Sequence, residues 1–140
     1  MLKGKTVLVV GGSSGIGLSV ASLADRNGAR VVIASRNVLK HSGELADYLG
    51  KTIEAHSFDI TSDEDVFGLF QAVGSIDHVV ITARPDAKSS LFLETDINEA
   101  KRAFDVKFWG SYLLVRAAQS HIKQDGSITL TSGIAGEKIY

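Results

Sequence analysis

The residues best suited to chemistry stand at positions 11–17, Gly-Gly-Ser-Ser-Gly-Ile-Gly. Gly11, Gly15 and Gly17 follow a G-x-x-x-G-x-G spacing, with Ser13 and Ser14 inside the first interval and Ile16 inside the second. A phosphate that reaches the start of a helix meets unpaired N–H donors and the positive end of the macrodipole. Close approach demands residues without a β-carbon. On that reading Gly11 forms the tight turn, Gly15 admits a diphosphate to the backbone, and Gly17 lets the helix pack against its strand. Ser13 and Ser14 add hydroxyl donors. A P-loop would need Gly-Lys-Ser/Thr, which is absent.

A second candidate is Ser35-Arg36, with Asn37 beside it. In dinucleotide sites an acidic residue after the second strand binds the ribose 2′-OH, whereas a cation accommodates a 2′-phosphate. No Asp or Glu lies between Asp25 and Glu44. Ser35 and Arg36 therefore favour NADP(H) over NAD(H); the alternative is a solvated arginine on a loop. The chain has no cysteine, and His41, His56, His78 and His121 show no ligand spacing, so no metal site is expected.

These groups need a framework that brings them to one edge. The β-branched run at residues 6–10 reads as a strand entering the glycine turn, and Ile16, Val20 and Leu23 follow at helical spacing. That helix should end near Asn27-Gly28. Residues 30–34 read as a second, fully buried strand. A helix over 38–49 carries Leu45, Ala46 and Leu49 on one side, closed by Gly50. Residues 52–58 alternate and release Asp59-Ile60, with Thr61 or Ser62 placed to cap a helix from Asp63. A fourth strand covers 76–83, and doubly wound order sets its end beside Gly11. After a polar loop, Asp96 caps one long helix to about His121, with Phe104, Phe108, Trp109, Tyr112 and Leu113 along it. Residues 126–132 form the fifth strand. The expected fold is α/β: a Rossmann-type doubly wound parallel sheet of about five strands in order 3-2-1-4-5, helices on both faces, in one domain over residues 1–140.

The glycine spacing resembles that of the short-chain dehydrogenase/reductase family, and the resemblance runs along the whole chain while matching only the N-terminal portion of a usual member. It implies an oxidoreductase that moves a hydride between a nicotinamide and a carbonyl or alcohol substrate. Asp59, with Ile60 after it, takes the position of the family's adenine contact, although a plain loop carboxylate is the competing reading. Thr82-Ala83-Arg84 stands where members usually have Asn-Ala-Gly, so Arg84 either displaces the loop or contacts phosphate or substrate itself. Residues 104–111, F-D-V-K-F-W-G-S, resemble the helix that carries the tetrad asparagine; that position is Lys107, either a proton donor or a salt-bridged or solvated lysine. Ser132 takes the position of the serine that polarises the carbonyl, with Thr131 as the off-by-one candidate. Tyr140 is a poor substitute for the family's tyrosine base, being closer to Ser132 than usual and lacking the lysine four residues later.

A net charge of −1 with 15 scattered basic residues gives no footprint for nucleic acid or acidic lipid, so a small-molecule partner is expected. Apolar runs such as 7–10 and 79–81 are too short for a membrane span or a signal segment, and a cytoplasmic location is expected. A five-stranded sheet leaves residues 128–130 as an open edge and part of the Phe104/Phe108/Trp109 face uncovered, which predicts a homo-oligomer or a truncated chain. A nucleotide-binding module without turnover is the main alternative to the enzyme. A methyltransferase would want an acid after the second strand, which Ser35-Arg36 argues against.

Overall fold

The β-branched run becomes β1 (Thr6–Val10), buried at every residue, as suits an extended strand covered on both faces. The computed structural model describes residues 1–49, 53–86 and 90–133. Around β1 it sets β2 (Arg30–Ser35), β3 (Glu54–Ser57), β4 (Ile76–Ile81) and β5 (Ile122–Leu130) in one sheet of order β3-β2-β1-β4-β5. Every pairing is parallel. The expected strand order therefore holds.

Two apolar layers follow from the period of two along each strand. Val7, Val9, Val31 and Ile33 face α1 (Gly15–Arg26) and α2 (Ser42–Leu49) through Ala21, Ala24 and Leu45. Leu8, Val10, Val32, Val79 and Ile81 face α3 (Asp63–Val73) and α5 (Ser111–Ala118) through Val66, Leu69, Phe70, Leu114 and Ala117. Ser62 caps α3, its hydroxyl accepting from the Asp65 N–H at 3.2 Å. Asp96 caps α4 (Ile97–Phe104), accepting from Asn98 and Glu99 at 2.9 and 3.0 Å.

Several boundaries differ from the sequence reading. The expected helix over 38–49 opens as a 3-10 turn, Val38–His41, before α2, because Val38 is drawn fully into the core. Gly50 and Thr52 lie outside the described residues. β4 stops at Ile81, releasing Thr82 and Ala83 to the site. The single helix expected over 96–121 is instead α4, a π-helical turn at Asp105–Gly110, and α5. Its aromatic residues Phe104, Phe108, Trp109 and Tyr112 are exposed, while Leu114, Ala117 and Ala118 meet the core. β5 begins four residues before Gly126 and ends before Thr131, so Gly126 is inside a strand rather than at its start. A β-carbon there would stand 2.5 Å from the Asp77 carbonyl oxygen, at the register shift between β4 and β5.

Asp77 ties the far end of the sheet together. Only 2% exposed, its carboxylate accepts from Lys123 Nζ at 2.8 Å, the Thr6 N–H at 2.9 Å and Lys5 Nζ at 3.1 Å. The Lys123 contact, followed by the Thr6 N–H, holds this carboxyl well below the usual carboxylate range.

Candidate functional site

Where β1 ends, the chain turns through Gly11 at φ +83°, a conformation that suits glycine. Its N–H bonds Ala34 O at 2.8 Å. A β-carbon at Gly11 would lie 2.7 Å from Ala83 N, so the β4 end lies hard against the turn. Thr82 pins this junction: its N–H reaches Val10 O at 2.8 Å, and its hydroxyl donates to Val10 O at 3.0 Å and Gly11 O at 3.3 Å. Gly17 is buried against the same atoms, with no room for a β-carbon beside the Gly11 carbonyl and Thr82 hydroxyl. Gly15, at φ +52°, faces open space. Ser14 is the N-cap of α1, and no side chain caps this end. The first N–H groups of α1 therefore point toward the cleft without a side-chain acceptor.

The Ser35 hydroxyl donates to Ser13 Oγ at 2.9 Å, which joins the glycine turn to the end of β2 and leaves the Ser13 proton available to an acceptor. Arg36 follows, 48% exposed, its Nη2 on Asp86 Oδ2 at 2.6 Å. Ser57 Oγ donates to the Arg36 carbonyl at 2.5 Å, fixing the loop to β3.

These elements surround a cleft of about 830 Å³ at the carboxyl ends of the strands, the place where open α/β sheets bind ligands. Gly11, Ser13, Ser14, Gly15, Ile16, Gly17, Ser35, Arg36, Ile60, Thr82 and Ala83 all line it. Three sequence candidates do not. Asp59 accepts from the Thr61 N–H at 2.9 Å and hydroxyl at 2.7 Å, a local turn, and these bonds with the nearby Arg36 charge hold its carboxyl below the usual range. Ser132 is exposed beyond β5, with no hydrogen bond among the described residues. Lys107 stands one layer behind the wall: its ammonium donates to Ala83 O at 3.2 Å and Thr131 Oγ1 at 3.3 Å, both residues of the lining. It is half-buried and, among the described residues, makes no salt bridge, and burial pushes its pKa down. Lys107 sits within the π-helical turn. Thr131 in turn donates to Ile81 O at 3.1 Å, so the off-by-one candidate, rather than Ser132, reaches the cleft. Tyr140 lies outside the described residues.

Arg84 lines the cleft, exposed, and makes no ion pair among the described residues. Sequence reasoning missed Glu44, Tyr48, Asp86 and Val106 as lining residues. Tyr48 and Glu44 come from the exposed side of α2, where a polar face reads only as solvated. Asp86 lies 50 positions from Arg36, and no local pattern links the two. No helix among the described residues is long and apolar enough to cross a membrane, and no cluster of His, Cys, Asp or Glu among them is arranged for a metal.

Residues 10–140 match the family model described as enoyl-(acyl carrier protein) reductase. The chain is 30% identical to the short-chain dehydrogenase/reductase fsr5 of Gibberella fujikuroi, over 96% of this chain and 56% of that protein. This chain belongs to the short-chain dehydrogenase/reductase family. As such it is also 33% identical to 11-beta-hydroxysteroid dehydrogenase 1A of Arabidopsis thaliana, over 96% of this chain and 41% of the relative. This short-chain dehydrogenase/reductase spans about half the length of the curated relatives it matches. Its fold superposes on a small-chain dehydrogenase solved with NADPH at a TM-score of 0.79 and 32% identity, over 97% of this chain and 54% of the other. On BdcA, also solved with NADPH, the TM-score is 0.86 at 25% identity, over 99% and 55%. The glycine turn, the uncapped start of α1 and the β2 end fit the nicotinamide dinucleotide that such oxidoreductases use.

Proposed function

We propose that this protein binds NADP(H) in preference to NAD(H) and interconverts a carbonyl and an alcohol of a small-molecule substrate. The observation that carries the reading is Arg36 in the same cleft as the glycine turn, at the end of a β2 that offers no carboxylate of its own. The bound nicotinamide would supply or accept the hydride. The turn from Gly11 to Gly17 would hold the diphosphate, with Ser13 and Ser14 donating, while Ser35 and Arg36 take the 2′-phosphate. Asp59 and Ile60 would border the adenine, and Thr82 and Ala83 the floor. Ser132 polarises the carbonyl in this reading, with Thr131, the one of the two that lines the cleft, as its alternative, and Lys107 is the candidate proton donor, its burial favouring release of the proton. A second copy of this chain is the proposed partner, supported by Ile97, Phe104, Phe108, Trp109 and Tyr112 exposed along α4, the π-helical turn and α5. A cytoplasmic location belongs to the same proposal, in keeping with a chain free of cysteine.

The test is a titration of NADPH and NADH against the protein and Arg36→Ala, followed by NADPH oxidation with a panel of aldehydes and ketones. A preference for NADPH that Arg36→Ala removes, with turnover that Ser132→Ala removes, is the expected result. Equal affinities in the parent would refute the cofactor assignment. Binding without turnover would favour a nucleotide-binding module instead, a reading supported by Lys107 at the position where the family's relay has asparagine.

A further inference from the structure

The charge that would greet a 2′-phosphate is already engaged. Arg36 Nη2 holds Asp86 Oδ2 at 2.6 Å, and both residues line the cleft. They leave β2 and β4, which flank β1 in the sheet. The two strands are separated by β1, so the pair links the loops that follow β1's two neighbours at the carboxyl end of the sheet. Pro85 fixes the backbone just before Asp86, and the Ser57 bond to the Arg36 carbonyl fixes the other side. We propose that Asp86 is a specificity-determining residue: its carboxylate occupies Arg36 in the free protein, and a nucleotide 2′-phosphate must displace it to bind.

The exchange is chemically matched. A phosphate offers more oxygen acceptors and more charge than a carboxylate to the same guanidinium, and the two anions repel at one cation. It is also sterically easy, since Arg36 is 48% exposed and Asp86 76% exposed, so side-chain rotation suffices. A nucleotide lacking the 2′-phosphate has no need of Arg36 and leaves the pair intact. Asp86 thus lowers affinity for one nucleotide class and leaves the other untouched. Exposed pairs are weak, which sets the expected effect at about two- to fivefold in affinity.

This inference rests on the NADP(H) reading, and the experiment separates the two. Binding of 2′,5′-ADP and of 5′-ADP is measured by calorimetry at one low ionic strength, for the parent, Asp86→Asn, Arg36→Ala and the double variant, each checked for fold by circular dichroism. Asp86→Asn is expected to tighten 2′,5′-ADP about two- to fivefold, leave 5′-ADP unchanged, and do nothing in the Arg36→Ala background. Equal tightening of both nucleotides, no tightening, or an effect that persists without Arg36 would overturn the proposal. If Arg36→Ala weakens 2′,5′-ADP while Asp86→Asn changes nothing, only the role of Asp86 fails. If Arg36→Ala leaves 2′,5′-ADP unaffected, the NADP(H) reading fails and takes this one with it.

Discussion

Gly17 and Gly15 stand two residues apart in the same turn, and their replacement should have opposite consequences. A β-carbon at Gly17 would sit 2.5 Å from Thr82 Oγ1 and closer still to the Gly11 carbonyl oxygen. Neither neighbour yields easily, because Thr82 is held by Val10 O and Gly11 O and the Gly11 N–H is held by Ala34 O. Ordinary non-bonded separation is about 3.5 Å, so α1 must withdraw by roughly 1 Å. Overpacking of that severity costs about 3 kcal/mol. Alanine returns about 1 kcal/mol as the better helix former. The net loss for Gly17→Ala is therefore about 2 kcal/mol, or a fall in Tm of about 6–8 °C for a chain of this size. The β-carbon of Gly15→Val meets no atom within 4 Å, so its loss is chiefly the left-handed backbone at φ +52°, about 2 kcal/mol for a β-branched residue. The stability losses are similar, but the ligand response should separate the variants. At NADPH near 100 times its Kd the parent gains about 2.7 kcal/mol, read as a rise in Tm. Gly17→Ala should keep part of that rise. Gly15→Val should lose it, since its side chain fills the space a diphosphate needs. A Gly17→Ala protein as stable as the parent would refute the packing argument, and a folded Gly15→Val protein with the parent's ligand shift would remove the glycine turn from the site.

Lys107 is pushed below its ordinary pKa by burial, so the unfolded chain binds the extra proton and stability should rise with pH on the approach to 10.5. Thermal unfolding between pH 8 and 10.5 should show that rise in the parent and a flatter profile in Lys107→Met; parallel profiles would mean that the lysine is not desolvated. Asp77 is shifted the other way, and its depressed pKa stabilises the fold above the unfolded carboxylate value near 4, the benefit disappearing as pH falls below it. Asp77→Asn should lower Tm at pH 7 and lessen its acid dependence, and an unchanged Tm would refute the role of this residue in joining β1, β4 and β5. Trp109→Glu should shift a larger species to monomer in light scattering, and a parent that is already monomeric would refute the second-copy reading.

The strand order was legible in the sequence because a parallel sheet buried on both faces leaves short β-branched runs, such as Val7 to Val10 and Val31 to Ala34, with glycine or cap residues between them. The glycine turn was legible for a local reason as well: its spacing, its preceding strand and its following helix are all contiguous. Asp96, and Ser62 as one of two candidates with Thr61, could be read as caps because a cap acts on N–H groups two or three residues away. What lay beyond reach depended on partners distant in the chain. The π-helical turn carries no pattern distinct from an ordinary helix, and Lys107 within it reaches Ala83 and Thr131, each 24 positions away. β5 runs from Ile122 to Leu130 rather than from 126 to 132, and the Lys123 contact with Asp77 and the close approach at Gly126 join its first half to a residue some 46 positions away. Asp86 came to Arg36 through the order of the strands, since β2 and β4 are neighbours of β1 in space and not of each other in sequence. Local chemistry marked the stretch suited to a phosphate; the sheet decided which charges surround it.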